Sequence, residues 1–151
     1  MTEPYQSDLL QSEILQKISN AKTKKEKIDL LQKYRNDALV SLLIWNYDTS
    51  LITLIPEGEV PYTPNDAPVG TEHTRLTQEH RKFYNFLKGG NDGLQSIARE
   101  RMFILMLEGL SKDEAEVVCL VKDKQLQKKY KITLNVVKEA YPDIVWGGRG
   151  S

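Results

Sequence analysis

The chain has a single cysteine, Cys119, among its 151 residues, which excludes an internal disulfide and leads us to expect a reducing compartment. Cys119 lies inside the apolar run VVCLV and is expected to be a small buried hydrophobe, because no neighbour in sequence would stabilise a thiolate. Neither charge is in excess. The 21 basic and 21 acidic residues cancel, which removes the whole-molecule field that draws a protein to nucleic acid or to an anionic membrane. No segment approaches the roughly 18 apolar residues of a membrane span, and the opening MTEPYQSDLL has neither a basic nor an apolar leader region. We therefore expect neither export nor membrane insertion.

Catalytic signatures are missing as well. There is no Gly-x-Ser-x-Gly, and KGGNDG (88–93) lacks the spacing and the final Lys-Ser/Thr of a phosphate loop, so it reads as a turn. His73 and His80 are seven residues apart, two turns on a helix, whereas a helix supplies two ligands of one metal at spacings of about three or four. His80 is expected to pack beside Leu76 and Phe83. In LEGLSKDEAEVVCLVKDKQL (107–126), Asp113, Glu114 and Glu116 fall in a first helical turn and Lys122 and Lys124 toward the far end. The helix dipole explains that pattern without chemistry, and a solvated first turn gives no carboxylate the burial that a general acid needs. No catalytic residue, cofactor or metal is expected, and the protein reads as non-enzymatic.

What the chain does have is helical periodicity, and the expected fold is all-α, one domain over 1–151. N-terminal helices fill 8–46. Ser7 is the expected cap of a helix from about Asp8 to Ile18 carrying Leu10, Ile14 and Ile18. Thr23 and Glu26 form a capping box for a second helix, which either runs to about Asn46 or, as we favour, breaks near Asn36. Leu51 to Ile55 fits a short buried strand or one more helical turn. A C-terminal helical half fills 75–146, with helices over 76–87, 94–108, a segment opened by a Ser111/Glu114 capping box, and one from Thr133 to Tyr141 stopped by Pro142. MFILML (102–107) is apolar on every face, so the helix of about 94–108 is the expected centre of the core, closed by Gly109.

Between the halves lies the proline-rich stretch 56–73, with Pro56, Pro61, Pro64 and Pro68. Proline lacks an amide donor and pushes the preceding residue toward extended geometry, so this is a long loop. Loops of such length are often functional. Glu57, Glu59, Asp66 and Glu72 meet no basic residue between 56 and 73. Pro61, Tyr62 and Pro64 offer a semi-rigid recognition element, and Ile144 and Trp146 of the C-terminal tail either fold back or engage a partner, folding back being favoured. A second surface is basic. Lys122, Lys124, Lys128, Lys129 and Lys131 surround Tyr130, a candidate stacking ring, and could hold nucleic-acid phosphates or pair with the acidic loop.

LIPEGEVPY, FYNFLKGGN, RERMFILMLEGLSKDEAEVVCLVKDKQL, YKIT and VVKEAYPDIVWGGR, in this order, resemble an uncharacterised family of small proteins from large contractile-tailed bacteriophages, prominently those of cyanobacteria. The resemblance covers 51–149; the N-terminal helices match it loosely. It implies a phage product acting in the cytoplasm of the infected cell, with the virion as the alternative setting, and carries no activity to transfer. The expected function is an accessory role exerted by binding another macromolecule, a protein first, through the proline loop and the tail. A nucleic-acid-binding factor and a minor virion component are the alternatives. No small-molecule substrate is indicated.

Overall fold

The computed structural model describes residues 9–68 and 73–149. Ser7, Asp8, Gly70 and Glu72 lie outside them. Seven α-helices are found among the described residues: α1 (Gln11–Asn20), α2 (Lys24–Lys33), α3 (Asp37–Tyr47), α4 (Leu76–Glu79), α5 (Ser96–Gly109), α6 (Lys112–Lys122) and α7 (Leu134–Ala140). Two 3₁₀ segments, His80–Phe86 and Leu126–Lys128, are also found among the described residues. The fold is all-α. Segment 51–55 is extended without forming a sheet: a lone antiparallel bridge joins Thr53 to Leu87, flanked by Leu54 N–H to Phe86 O at 2.8 Å and Lys88 N–H to Ile52 O at 2.9 Å.

Local capping chemistry sets most boundaries. Thr23 accepts from Glu26 N–H at 3.2 Å and Asn36 from Leu39 N–H at 2.8 Å, so the long apolar stretch 24–47 does break, with Asn36 opening α3. Thr133 likewise accepts from Val136 N–H at 3.3 Å to open α7. At α1 the start is Gln11 rather than Asp8, because Leu10 N–H is taken by Glu13 at 2.9 Å and Gln11 N–H by a carboxylate from α6. The expected helix over 76–87 winds mostly as 3₁₀. With three residues per turn, Phe83 and Phe86 then share one face: Phe83 meets Trp45 of α3 edge-on at 5.0 Å, and Phe86 meets Phe103 of α5 at 5.1 Å. Gly90 closes the following turn so tightly that a Cβ there would stand 2.0 Å from the Tyr84 carbonyl oxygen.

Buried apolar side chains from all seven helices form one contiguous cluster. Its centre is α3, which buries Leu39, Leu42, Leu43 and Trp45 and packs on α4, the 3₁₀ segment and α6. Helix α5 does not hold the all-round buried position expected of it. It buries Arg99, Phe103, Met106 and Leu107, whereas Ile97 is 70% and Leu105 61% exposed. Six consecutive apolar residues exceed one turn, so a helix covered on one side must turn some of them outward. Nor does Gly109 supply a left-handed cap. It ends the helix itself, and its missing side chain lets Thr74 approach, with Thr74 N–H bonded to Gly109 O at 2.7 Å.

Candidate partner-binding surface

The described part of the proline loop, 56–68, is extended and tied down at several points. The ammonium of Lys122, completely buried, donates to the carbonyl oxygens of Pro56 and Gly58 at 2.9 Å each and to Asp123 at 2.6 Å. Gly58 N–H reaches Asp123 at 3.3 Å, Thr63 N–H reaches Glu108 of α5 at 2.9 Å, and His73 Nε2 bonds Ala67 O at 2.7 Å. Tyr62 turns inward: it is half-buried and, like Cys119, packs against the core cluster. Burial, with Cys119 adding to it, pushes the Tyr62 phenol up to about 12, and burial raises the Cys119 thiol as well. Thus Tyr62 anchors the loop, while Pro61 and Pro64 stand exposed.

Between this loop and α5 runs a cleft of about 200 Å³, lined by Ile55, Pro56, Val60, Pro61, Phe103 and Ile104, with Glu59 and Glu100 also on its walls. The exposed apolar side chains Ile97 and Leu105 belong to the same helix. The cleft is thus mainly apolar with two acidic residues on its walls, whereas Ile97 and Leu105 lie outside it on the solvent side of α5, with exposed Arg101 between them. Ile97, Ile104 and Leu105 were not read from the sequence as surface residues; the signal was there in MFILML, which holds more apolar residues than one buried face accommodates.

The tail folds back, as favoured. Ile144 and Trp146 are half-buried against the core and Val145 is 74% exposed. Its clamp is Asp48, only 2% exposed, which accepts from Ser50, from Gly147 N–H at 3.0 Å and from the Arg149 guanidinium. Burial drives the Asp48 carboxyl upward, but the Ser50, Gly147 and Arg149 hydrogen bonds together outweigh it and hold it at about 2. A depressed folded-state pKa contributes stability that is present above the unfolded value and lost as pH falls toward 2. Asp48→Asn is accordingly expected to cost about 2 kcal/mol at pH 7. Urea titrations of both proteins should show this gap closing as pH drops from about 4 toward 2.

The basic surface over 122–131 does not form as expected. Lys122 is buried under the loop, and Tyr130 is 2% exposed. Lys124, in the left-handed conformation with φ 57°, sends its ammonium to the Trp45 and Asp48 carbonyl oxygens that end α3, at 2.7 and 2.8 Å. Lys129 pairs with Glu116. Only Lys128 and Lys131 of that set point freely outward.

Nor is the first turn of α6 uniformly solvated. Glu114 is 1% exposed. Its backbone N–H is capped by Ser111 at 3.3 Å, but its carboxylate does not return to close the box; it accepts from Gln11 N–H of α1 at 2.7 Å and Leu76 N–H of α4 at 3.1 Å. Burial raises its pKa, the two amide donors and Arg75 opposing. With both oxygens occupied by helix starts, the group is a structural acceptor. His80 Nδ1 bonds Leu76 O at 2.9 Å and its ring meets Phe83 edge-on. Among the described residues no three His, Cys, Asp or Glu side chains gather as a metal site, and no helix is long and apolar enough to cross a membrane.

The family of unknown function DUF6433 matches residues 14–128, which span α1 to the second 3₁₀ segment and stop short of α7 and the tail. The N-terminal helices are thus within the matched region. No curated protein and no solved structure matches the chain.

Proposed function

We propose, from the premise that this chain belongs to the family of unknown function DUF6433, a role in binding rather than catalysis: it docks a protein partner on the cleft between the proline loop and α5. The observation that carries this reading is the apolar lining of that cleft, Ile55, Val60, Phe103 and Ile104, beside a loop pinned at Pro56, Gly58, Tyr62 and Thr63. A loop fixed in advance loses little entropy on docking, and an apolar cleft takes a large side chain. Glu59 and Glu100 favour a partner segment whose apolar anchor is flanked by lysine or arginine. Pro61 and Pro64 present the rim, and Ile144, Val145 and Trp146 supply a second, smaller contact near Asp48. The motif resemblance described above supports an accessory protein of a large contractile-tailed phage acting in the infected cell's cytoplasm, with incorporation into the virion as the alternative.

Photo-crosslinking in infected cells tests this. A crosslinking residue at Leu105 should yield one protein adduct of defined mass that survives nuclease treatment, and the same residue at the exposed Lys25 should yield none. Ile104→Glu should weaken that adduct about tenfold or more, as loss of a buried interface anchor does. Adducts formed equally from both positions, or removed by nuclease, would refute the assignment.

A further inference from the structure

We propose that the concave face between the starts of α2 and α7 is a separate binding site that takes the phosphate backbone of double-stranded nucleic acid. A cleft of about 590 Å³ opens there, and Lys22, Lys24, Lys27 and Lys131 line it with no carboxylate among its lining residues. The lysines come from two basic stretches far apart in sequence, brought together because α2 packs against α7. Lys27 is fixed by the carbonyl oxygens of Ser19 and Lys131, and Lys24 meets Glu139 across a pair in which both side chains are about half exposed. Lys22 and Lys131 are exposed, and neither has a carboxylate partner among the described residues.

Placement of this charge runs against what folding alone favours. Lys24, Lys25 and Lys27 stand in the first turn of α2, the positive end of its dipole, where Glu26 is the only acidic residue. A bound anion relieves that conflict, and a sequence that breaks a local rule in one place points to function there. Lysines act as point charges on phosphate and read no base. No aromatic ring lines the cleft, so unpaired bases would find nothing to stack on. A duplex, with phosphates outward and bases already stacked, fits better than a single strand. Exposed Lys128 and Lys138 continue the charge on the adjoining 3₁₀ segment and on α7. This assignment is independent of the protein-docking cleft and uses none of its residues.

Fluorescence anisotropy with a short labelled duplex of mixed sequence, titrated at several salt concentrations, tests it. Lys22→Glu with Lys131→Glu should weaken binding about tenfold or more and flatten the log–log salt slope by about two. Arg81→Glu with Lys112→Glu makes the same change in net charge at exposed positions elsewhere and should alter affinity by no more than about twofold. Circular dichroism checks that both fold, and Lys22→Ala with Lys131→Ala gives the same comparison without reversed charge. Absence of duplex binding at low salt, equal losses in the two double variants, or tighter binding of a single strand or an acidic peptide would each overturn the proposal.

Discussion

Glu114→Ala is expected to lower the stability of the fold by about 3–5 kcal/mol, because it leaves two buried amide donors without an acceptor and each such unsatisfied donor costs about 1–3 kcal/mol. The donors, Gln11 N–H and Leu76 N–H, open helices from opposite sides of the proline loop, and Glu114 itself opens α6. One carboxyl group therefore joins three helix starts. Glu114→Gln tests geometry against charge. An amide keeps one acceptor oxygen but turns its NH₂ toward the second donor, so this variant too should lose stability, by about 2 kcal/mol or more. In a chain of this length the alanine variant should melt on the order of 10 °C lower. Burial raises the Glu114 pKa, so its contribution has the opposite sign of pH dependence from that of Asp48: it is fullest in acid and declines as pH rises through the raised value. The gap between wild type and the alanine variant should widen as pH falls from 7 into the ordinary carboxylate range. A narrowing gap would mean that the ionised form is the one the fold stabilises.

How legible this fold was in the sequence follows the distance over which each interaction acts. Thr23, Asn36, Ser111 and Thr133 cap as read because a cap and its amide are three residues apart. The proline loop was legible for a similar reason, since proline restricts itself and its immediate neighbour. Glu114 shows where local reading ends. Its backbone obeyed the capping pattern, but its carboxylate partners lie 103 and 38 residues away. Lys122 and Lys124 looked like a solvated helix end and instead bond carbonyls 64 to 79 residues distant. The apolar content of 102–107 was plain, but which face α5 turns outward depends on what packs beside it. The lysine-lined cleft was hidden in the same way, as two ordinary lysine clusters that only the packing of α2 on α7 joins.

Lys122→Met isolates the loop's main anchor. Methionine keeps most of the apolar stem within the core while removing the ammonium, so the change deletes three hydrogen bonds with little change of volume. The residues bearing two of the freed acceptors, Pro56 and Gly58, are exposed, and water can reach their carbonyls. Removing the ammonium also ends the cost of keeping a charge out of water. The balance is an expected loss of about 2–4 kcal/mol, the upper end applying if Asp123 stays desolvated beside the gap. A larger effect should appear locally. Gly58 N–H, held by the same Asp123, should lose most of its protection in hydrogen exchange, whereas Thr63 N–H, held by Glu108, should keep its own because Tyr62 still fixes the loop against Cys119. If the docking cleft needs a preset wall, crosslinking at Leu105 must fall in this variant although no residue facing the partner has changed. Unaltered crosslinking with Gly58 deprotected would show that the partner orders the loop for itself, and would move the affinity onto Ile97, Ile104 and Leu105 alone.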